Sequence, residues 1–426
     1  MKMLADRQFE EKVLRKILSR GVFDFSSIFP HVESIVRNVA TYGDEAVIRY
    51  TKRFDAVNLT RDRIRVGECE VEESFSKLTR SELESLKRAI KNIQRFQRAQ
   101  SKLSFSLNIT GGVRVGKAIR PLSSVGIYAP GGRAPYPSSV LMCVVPARVA
   151  GVERILVCSP PTKEGDVDPK IIVAAKLAGA TDIFRVGGPQ AIAAMAYGTR
   201  TIQRVDKIVG PGNVFVTAAK ILVRTRVAID LPAGPSEILI LADGTADAKL
   251  IAYDLTAQTE HDPRAVGILI TTSKRIAEAT IAIVNKELKS LPRRNIVKTA
   301  LARRGAIVLV KSLDKAIDYI NLIAPEHLEI MTRDPWGVFG QVRNAGAVFL
   351  GKYSPSALGD YCAGTSHVLP TGGYARMYSG LSVDDFLKTI EFLRCTRQGL
   401  FKLKETAVAL AMMEGLEGHA KSIASR

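Results

Sequence analysis

The sequence predicts an α/β protein built from two parallel-sheet units in tandem and closed by a helical tail. From Val125 onward, short β-rich runs (VGIYAP, RILVC, DIFRV, DKIV) alternate with helix-length segments and are punctuated by Gly and Pro, the pattern of consecutive βα units. A second series (EILILA, AVGILIT, GAIVLV, GAVFLG) starts at Glu237, separated by stretches such as 246–258 and 273–288. After Ser379 the character changes again. Ser382 is placed to cap a helix, and residues 383–426 are rich in helix formers, with one glycine-rich break at 415–418.

Ahead of these units, Thr79 and Glu82 have capping-box spacing, and Leu83, Leu86, Ile90 and Ile93 fall on one face, so 79–100 reads as an amphipathic helix. The tail's apolar residues Phe386, Leu387, Ile390, Phe401, Leu410 and Met413 can be buried only against the body or another subunit, because a short isolated helix is marginal in water.

Composition bounds the class. A chain of 426 residues, 46% hydrophobic and 24% charged, has room for a sizeable core and two or three folding units. Its first twenty residues mix both charge signs, unlike a secretory signal. The most apolar stretch, 140–157, is broken by Pro146, Arg148, Glu153 and Arg154, which excludes a membrane span. Five scattered cysteines without a CxxC pair argue against a disulfide framework or a thiolate metal site, so a soluble cytoplasmic protein is expected. The net charge of +19 is spread along the chain without a helix-turn-helix, zinc-finger or aromatic-basic pattern. No nucleic-acid partner is expected, and the charge reads as a basic surface that steers anionic ligands such as a dinucleotide.

Of only five histidines, four sit beside other reactive side chains: QTEH (258–261), PEH (325–327), GTSH (364–367) and EGLEGH (414–419). His31 has no such company and reads as structural or surface. Gln258 and His261, three apart at a helix end, share a face and suit one ion; the same pair equally describes groups that serve helix-end backbone atoms. Asp360 lies in a Gly- and Pro-rich loop after GAVFLG, where an active-site carboxylate or a turn residue fits alike. Glu326 and His327 are adjacent, and extended neighbours point to opposite sides unless the backbone turns. Two base-capable groups together suit a reaction with two proton abstractions, an imidazole for an alcohol O–H and a carboxylate for water. The segments YAPGGRAPYPSSV, VGGPQAI and VGPGN sit at strand-to-helix junctions where nucleotides bind, though none is a GxGxxG fingerprint.

Taken in order, VGIYAPGGRAPYPSSVLM, VDKIVGPGNVFVTAAK, AGPSEILILAD, AQTEHDP, APEHLE, GDYCAGTSHVLPTGG and EGLEGHAKS resemble the histidinol dehydrogenase family over nearly the whole chain. The resemblance implies oxidation of L-histidinol through the aldehyde to L-histidine, with two NAD and one zinc per subunit. Gln258, His261, Asp360 and His419 would be the zinc ligands, with substrate nitrogens completing the shell. His327 would be the base for the hydroxyl and Glu326 the group that activates water. Ser236, His367 and Glu414 match substrate-contacting positions, beside the ligands and the two bases, and Tyr128, Gln190 and Asn213 match NAD-contacting ones.

The implied fold is two incomplete Rossmann-like domains, one inserted in the other, with a helical C-terminal tail exchanged in a homodimer. Its bounds here would be a helical segment 1–23, a first domain 24–127 with 237–378, an inserted domain 128–236, and the tail 379–426. Thr259, Cys362 and the FLRCT stretch of the first tail helix depart from the family pattern. Two alternatives are a relative that oxidises another small polar alcohol and a catalytically silent basic binding protein; every metal and base position is present, which disfavours the second.

Overall fold

A computed structural model describes residues 3–21, 25–101, 103–131, 135–231 and 234–426. The centre of YAPGGRAPYPSSV and the first residue of AGPSEILILAD lie outside the described residues. In chain order the strands are β1 (Met3–Ala5), β2 (Phe105–Thr110), β3 (Val113–Pro121), β4 (Ser124–Tyr128), β5 (Arg154–Ser159), β6 (Asp182–Arg185), β7 (Lys207–Val209) and β8 (Ala228–Ile229). They continue with β9 (Glu237–Ala242), β10 (Val266–Thr271), β11 (Gly305–Leu309), β12 (His327–Met331), β13 (Ala347–Leu350) and β14 (Leu387–Cys395).

Two sheets are parallel throughout, a five-stranded one ordered β6-β5-β4-β7-β8 and a six-stranded one ordered β1-β11-β10-β9-β12-β13. Strands β4, β9, β10 and β12 are buried along their whole length, as parallel strands covered on both faces must be. The 79–100 helix forms over Arg80–Gln100, and Thr79 and Glu82 close the capping box.

Helices Phe29–Tyr42, Asp44–Asp55 and Arg80–Gln100 cover the five-stranded sheet. Val32, Val36, Val39 and Tyr50 pack with Leu156, Ile192 and Val216, and Ile90 and Ile93 pack with Val125 and Val140. The resemblance groups 24–127 with 237–378, and these helices lie against the sheet of 124–229. Periodicity shows that a helix has an apolar face but not which sheet that face covers. The segment expected to be helical over 1–23 is helical from Asp6 to Leu18, preceded by β1, which pairs with β11. It is anchored at its other end by a buried ion pair between Arg20 and Glu237, whose side chains are 1% and 4% exposed. Breaking such a pair costs about 3–5 kcal/mol.

The tail is not wholly helical. Ser382 does close a capping box with Asp385, but only on a short 3-10 turn, Val383–Phe386. The FLRCT stretch, expected in a first tail helix, instead forms the end of β14 and the residue after it, and β14 pairs antiparallel with β3 over nine residues. Residues 387–395 include helix formers, yet Thr389, Ile390 and Phe392 also suit a strand, and β3 offers an open edge; cross-strand pairing overrides propensity here. Gly116 of β3 permits the close approach, since a Cβ there would run into Phe105 O and the Phe392 ring. Helices Arg397–Met413 and Glu417–Ala424 follow and pack on each other. Phe386 is fully buried, whereas Ile390, Phe401, Leu410 and Met413 are exposed on the single chain, Met413 at 83%. No described helix is long and apolar enough to cross a membrane.

Candidate active site

His327 is the hub. It opens β12 and is 2% exposed, between Ile238 of β9 and Ala347 of β13. Its Nδ1 lies 3.0 Å from the Glu237 carbonyl and its Nε2 3.1 Å from Asp360 Oδ1. A carbonyl can only accept, so Nδ1 carries the proton, and Gln258 Nε2, itself a donor, lies 3.3 Å from the same nitrogen as a neighbour and not as a hydrogen-bond partner. Glu326 Oε2 accepts from Glu237 N at 2.7 Å and lies 3.5 Å from His327 Nδ1.

The backbone turn that adjacent bases require is present. Ala324 adopts φ +50, Pro325 follows, and both Glu326 and His327 end up buried at the start of β12. Burial pushes the Glu326 carboxyl up, against the pull of His327. For His327 burial acts downward, but the Glu326 charge and the hydrogen bond to Asp360 outweigh it and hold the imidazole well above its ordinary range. Burial likewise works against Asp360, and the His327 hydrogen bond still leaves its carboxyl below the usual value.

Four separated segments therefore converge. Gln258 comes from the end of helix Ala248–Thr259, Glu326 and His327 from the start of β12, Asp360 from helix Ser356–Tyr361, and His367 from the loop beyond. His367 Nδ1 donates to Asp360 O at 2.8 Å, and its Nε2 sits 3.2 Å from Ser139 Oγ on helix Pro137–Ala150, so it ties the two sheet units together.

His261 and Ser236 line a cavity of about 280 Å³ together with Asn213, Tyr136 and Arg264. Asn213 also caps helix Val214–Val223, accepting from Phe215 N and Val216 N. At the carboxyl end of β4, Tyr128 OH accepts from Gly188 N at 3.2 Å, and burial pushes its phenol up to about 12. Gln190, in the first turn of helix Gly188–Tyr197, is fully buried with neither amide atom hydrogen-bonded among the described residues. Glu414 and His419 are different. Both are exposed on the tail, and among the described residues no side-chain hydrogen bond or ion pair joins either to the cluster. His31 is exposed, near Ser27 O.

A sequence model of the histidinol dehydrogenase family matches residues 18–426, and the histidinol dehydrogenase of Methanothermobacter thermautotrophicus is 48% identical over 419 residues, covering 98% of both chains. The chain belongs to the histidinol dehydrogenase family. The Clostridium acetobutylicum histidinol dehydrogenase is 46% identical over 416 residues, 98% of this chain and 96% of that one. A crystal structure of histidinol dehydrogenase from Elizabethkingia anophelis matches with a TM-score of 0.94 at 38% identity, covering this chain completely and 97% of the other.

Within this histidinol dehydrogenase family member, Thr259 and Cys362, expected as departures from the family pattern, have structural accounts. Thr259 is fully buried, donates to Leu255 O at 2.6 Å and packs its methyl against Gly267, whose missing side chain makes the space. Cys362 is a half-buried free thiol whose carbonyl accepts from Asn92 Nδ2 at 2.8 Å. Ser139 and Glu237 are site neighbours that no motif argument singles out. Both lie within quoted segments, YAPGGRAPYPSSV and AGPSEILILAD, but Ser139 has no histidine or carboxylate beside it in sequence, and Glu237 acts here through its backbone.

Glu329 lies two residues beyond His327 on β12 and accepts from Ser356 N at 2.7 Å, at the start of the helix that carries Asp360. Burial first, then the Asp254 charge, pushes Glu329 up to about 8, and burial pushes Asp254 up to about 6. The folded chain thus keeps protons here that the unfolded chain releases near the ordinary carboxyl range, so stability declines as pH rises from about 5 to about 8. A glutamine cannot lose such a proton. In urea unfolding, Glu329→Gln should therefore show a shallower decline over that range; an unchanged slope would mean that Glu329 is ionised in the folded protein.

Proposed function

We infer that the chain oxidises L-histidinol through the aldehyde to L-histidine in histidine biosynthesis, using two NAD and a zinc site completed by a second subunit. The observation that carries this reading is the convergence on His327 of Glu326, Gln258 and Asp360, in a chain that matches the family from residue 18 to its last residue. A relative acting on another small polar alcohol has no specific observation in its favour.

Gln258, His261 and Asp360 offer an amide oxygen, an imidazole and a carboxylate, a nitrogen and oxygen set that suits zinc. His261 and Asp360 are near enough for the Asp360 charge to act on the imidazole. His419 would be the fourth ligand and Glu414 a substrate contact. Both stand on a tail whose exposed apolar residues suit burial in a homodimer with exchanged tails. On this reading the five-stranded sheet unit is the inserted Rossmann-like domain, and the protein acts in the cytoplasm. Tyr128, Gln190 and Asn213 are assigned to NAD. The buried, unpartnered Gln190 amide beside Gly188 suits a polar ligand at that helix start, and Asn213 shares its cavity with Ser236 and His261.

When bound, zinc held by Gln258, His261, Asp360 and His419 would position the substrate, and NAD would supply the hydride acceptor. The protein's own groups move the protons. With Nδ1–H committed to the Glu237 carbonyl, His327 has only Nε2 left to take the hydroxyl proton of the alcohol. Engagement of Asp360 by a cation would weaken the contact that now favours a proton on that nitrogen. Glu326, its carboxyl raised by burial, is suited to draw a proton from the water that adds to the aldehyde. Ser236, from the cavity that His261 lines, and His367, beside Asp360, are assigned to orienting the substrate.

The test is NAD reduction by the purified protein with histidinol. Chelation should abolish it, zinc should restore it, and circular dichroism and melting temperature should hardly change, because both sheet cores are independent of the ligand residues. Full activity in a demonstrably metal-free sample would remove zinc from the account.

A further inference from the structure

Glu237 holds the Glu326 and His327 pair from behind with two main-chain groups, its N–H to Glu326 Oε2 and its carbonyl to His327 Nδ1. Main-chain groups have no rotamers of their own, so the pair's geometry depends on what fixes the start of β9 and the 323–327 turn. Arg20 grips both. Its Nε and Nη2 make a two-pronged ion pair with the Glu237 carboxylate at 2.7 and 2.8 Å, and the same carboxylate accepts from Gly372 N at 2.8 Å. Nη2 also donates to Ile323 O at 2.9 Å, while Nη1 donates to Ile17 O at 2.8 Å. Ile323 directly precedes Ala324, whose left-handed backbone is a conformation that a non-glycine residue holds only when its surroundings impose it.

We propose that Arg20 is a positioning residue for the reaction, setting the geometry of Glu326 and His327 through the Glu237 backbone and the Ile323 carbonyl. The role rests on the reading of Glu326 and His327 as the proton-transfer pair. It requires the planar fork of arginine. A lysine ammonium keeps the charge but cannot hold both carboxylate oxygens and a carbonyl at once in this plane.

The test uses the full-length, zinc-loaded protein carrying Arg20→Lys. With only five histidines in the chain, ¹⁵N-histidine labelling gives a sparse spectrum, and the buried Nδ1–H signal of His327 is identified by its loss in His327→Asn. Arg20→Lys should move that signal and lower kcat for histidinol by at least ~10-fold, with KM and zinc content nearly unchanged, because misplacement affects the reacting geometry more than binding. Guanidinium ion at millimolar concentration should recover part of the kcat of Arg20→Ala.

Arg185→Met serves as the control for simple destabilisation. Arg185 is equally buried and paired with Glu70 in the other sheet unit, so its loss should lower stability without moving the His327 signal. A folded Arg20→Lys with an unmoved signal and unchanged kcat would overturn the proposal, as would an effect no different from that of Arg185→Met. A moved signal with unchanged kcat would overturn the proposal if His327→Asn is itself slow, and would overturn the assignment of His327 as base if His327→Asn is not.

Discussion

Glu326→Gln is expected to slow oxidation of histidinaldehyde far more than oxidation of histidinol, and His327→Asn to slow the first oxidation by ~100-fold or more, the usual scale for loss of a general base. The asymmetry follows from the site. Only the second oxidation consumes water, and Glu326 is the buried carboxylate beside the base. The His327 imidazole has one nitrogen tied to Glu237 O and the other directed at Asp360, so a substrate hydroxyl near Asp360 meets Nε2 first. An asparagine can reproduce the tie to Glu237 but cannot take up the proton. Single-turnover NADH formation, started from the alcohol and separately from the aldehyde, reads the two halves independently. Equal damage by Glu326→Gln to both halves would remove its assigned role.

The second large effect concerns the tail. Glu414 and His419 stand exposed and apart from Gln258, His261 and Asp360, and the tail around them leaves Phe401, Leu410 and Met413 open on the single chain. Asp360→Ala and His419→Ala should each be nearly inactive as homodimers. On random coassembly about half of the dimers are mixed, and one of the two sites in each mixed dimer joins an intact body to an intact tail, so about a quarter of all sites should recover. If His419 served its own subunit, every chain would carry a lesion in its own site and nothing would recover. The measurement is zinc content and NADH formation in mixed dimers isolated through different tags. Activity no higher than that of the parents, with both single variants folded and dimeric, would refute the shared site.

What was legible in the sequence follows from the physics of each element. The runs EILILA and AVGILIT announce parallel strands because both faces of β9 and β10 are covered, leaving continuous apolar stretches. Strands β2 and β14 carry no such run. They lie in a three-stranded antiparallel sheet largely open to solvent, and nothing local in LKTIEFLRC shows that β3 is available to pair with it. Reactive residues clustered in short segments drew attention to Gln258, His327, Asp360 and His367, and the fold brings these four together. Arg20 could not be found that way. It has no reactive neighbours in the chain, and its partner Glu237 is 217 positions away, so its meaning exists only once β9 is in place. Similarly, the adjacency of Glu326 and His327 looked awkward for an extended segment until the left-handed Ala324 supplied the turn.

The measurement that bears most directly on the central claim is the stoichiometry of the zinc-loaded protein acting on a limiting amount of histidinol with excess NAD. Going from a primary alcohol to a carboxylate removes four electrons and takes one oxygen from water. The account therefore predicts two NADH per histidinol consumed, histidine as the product and, with H₂¹⁸O as solvent, one ¹⁸O in its carboxylate. One NADH per histidinol with the aldehyde accumulating, or no NADH at all from a folded, zinc-loaded dimer, would contradict it.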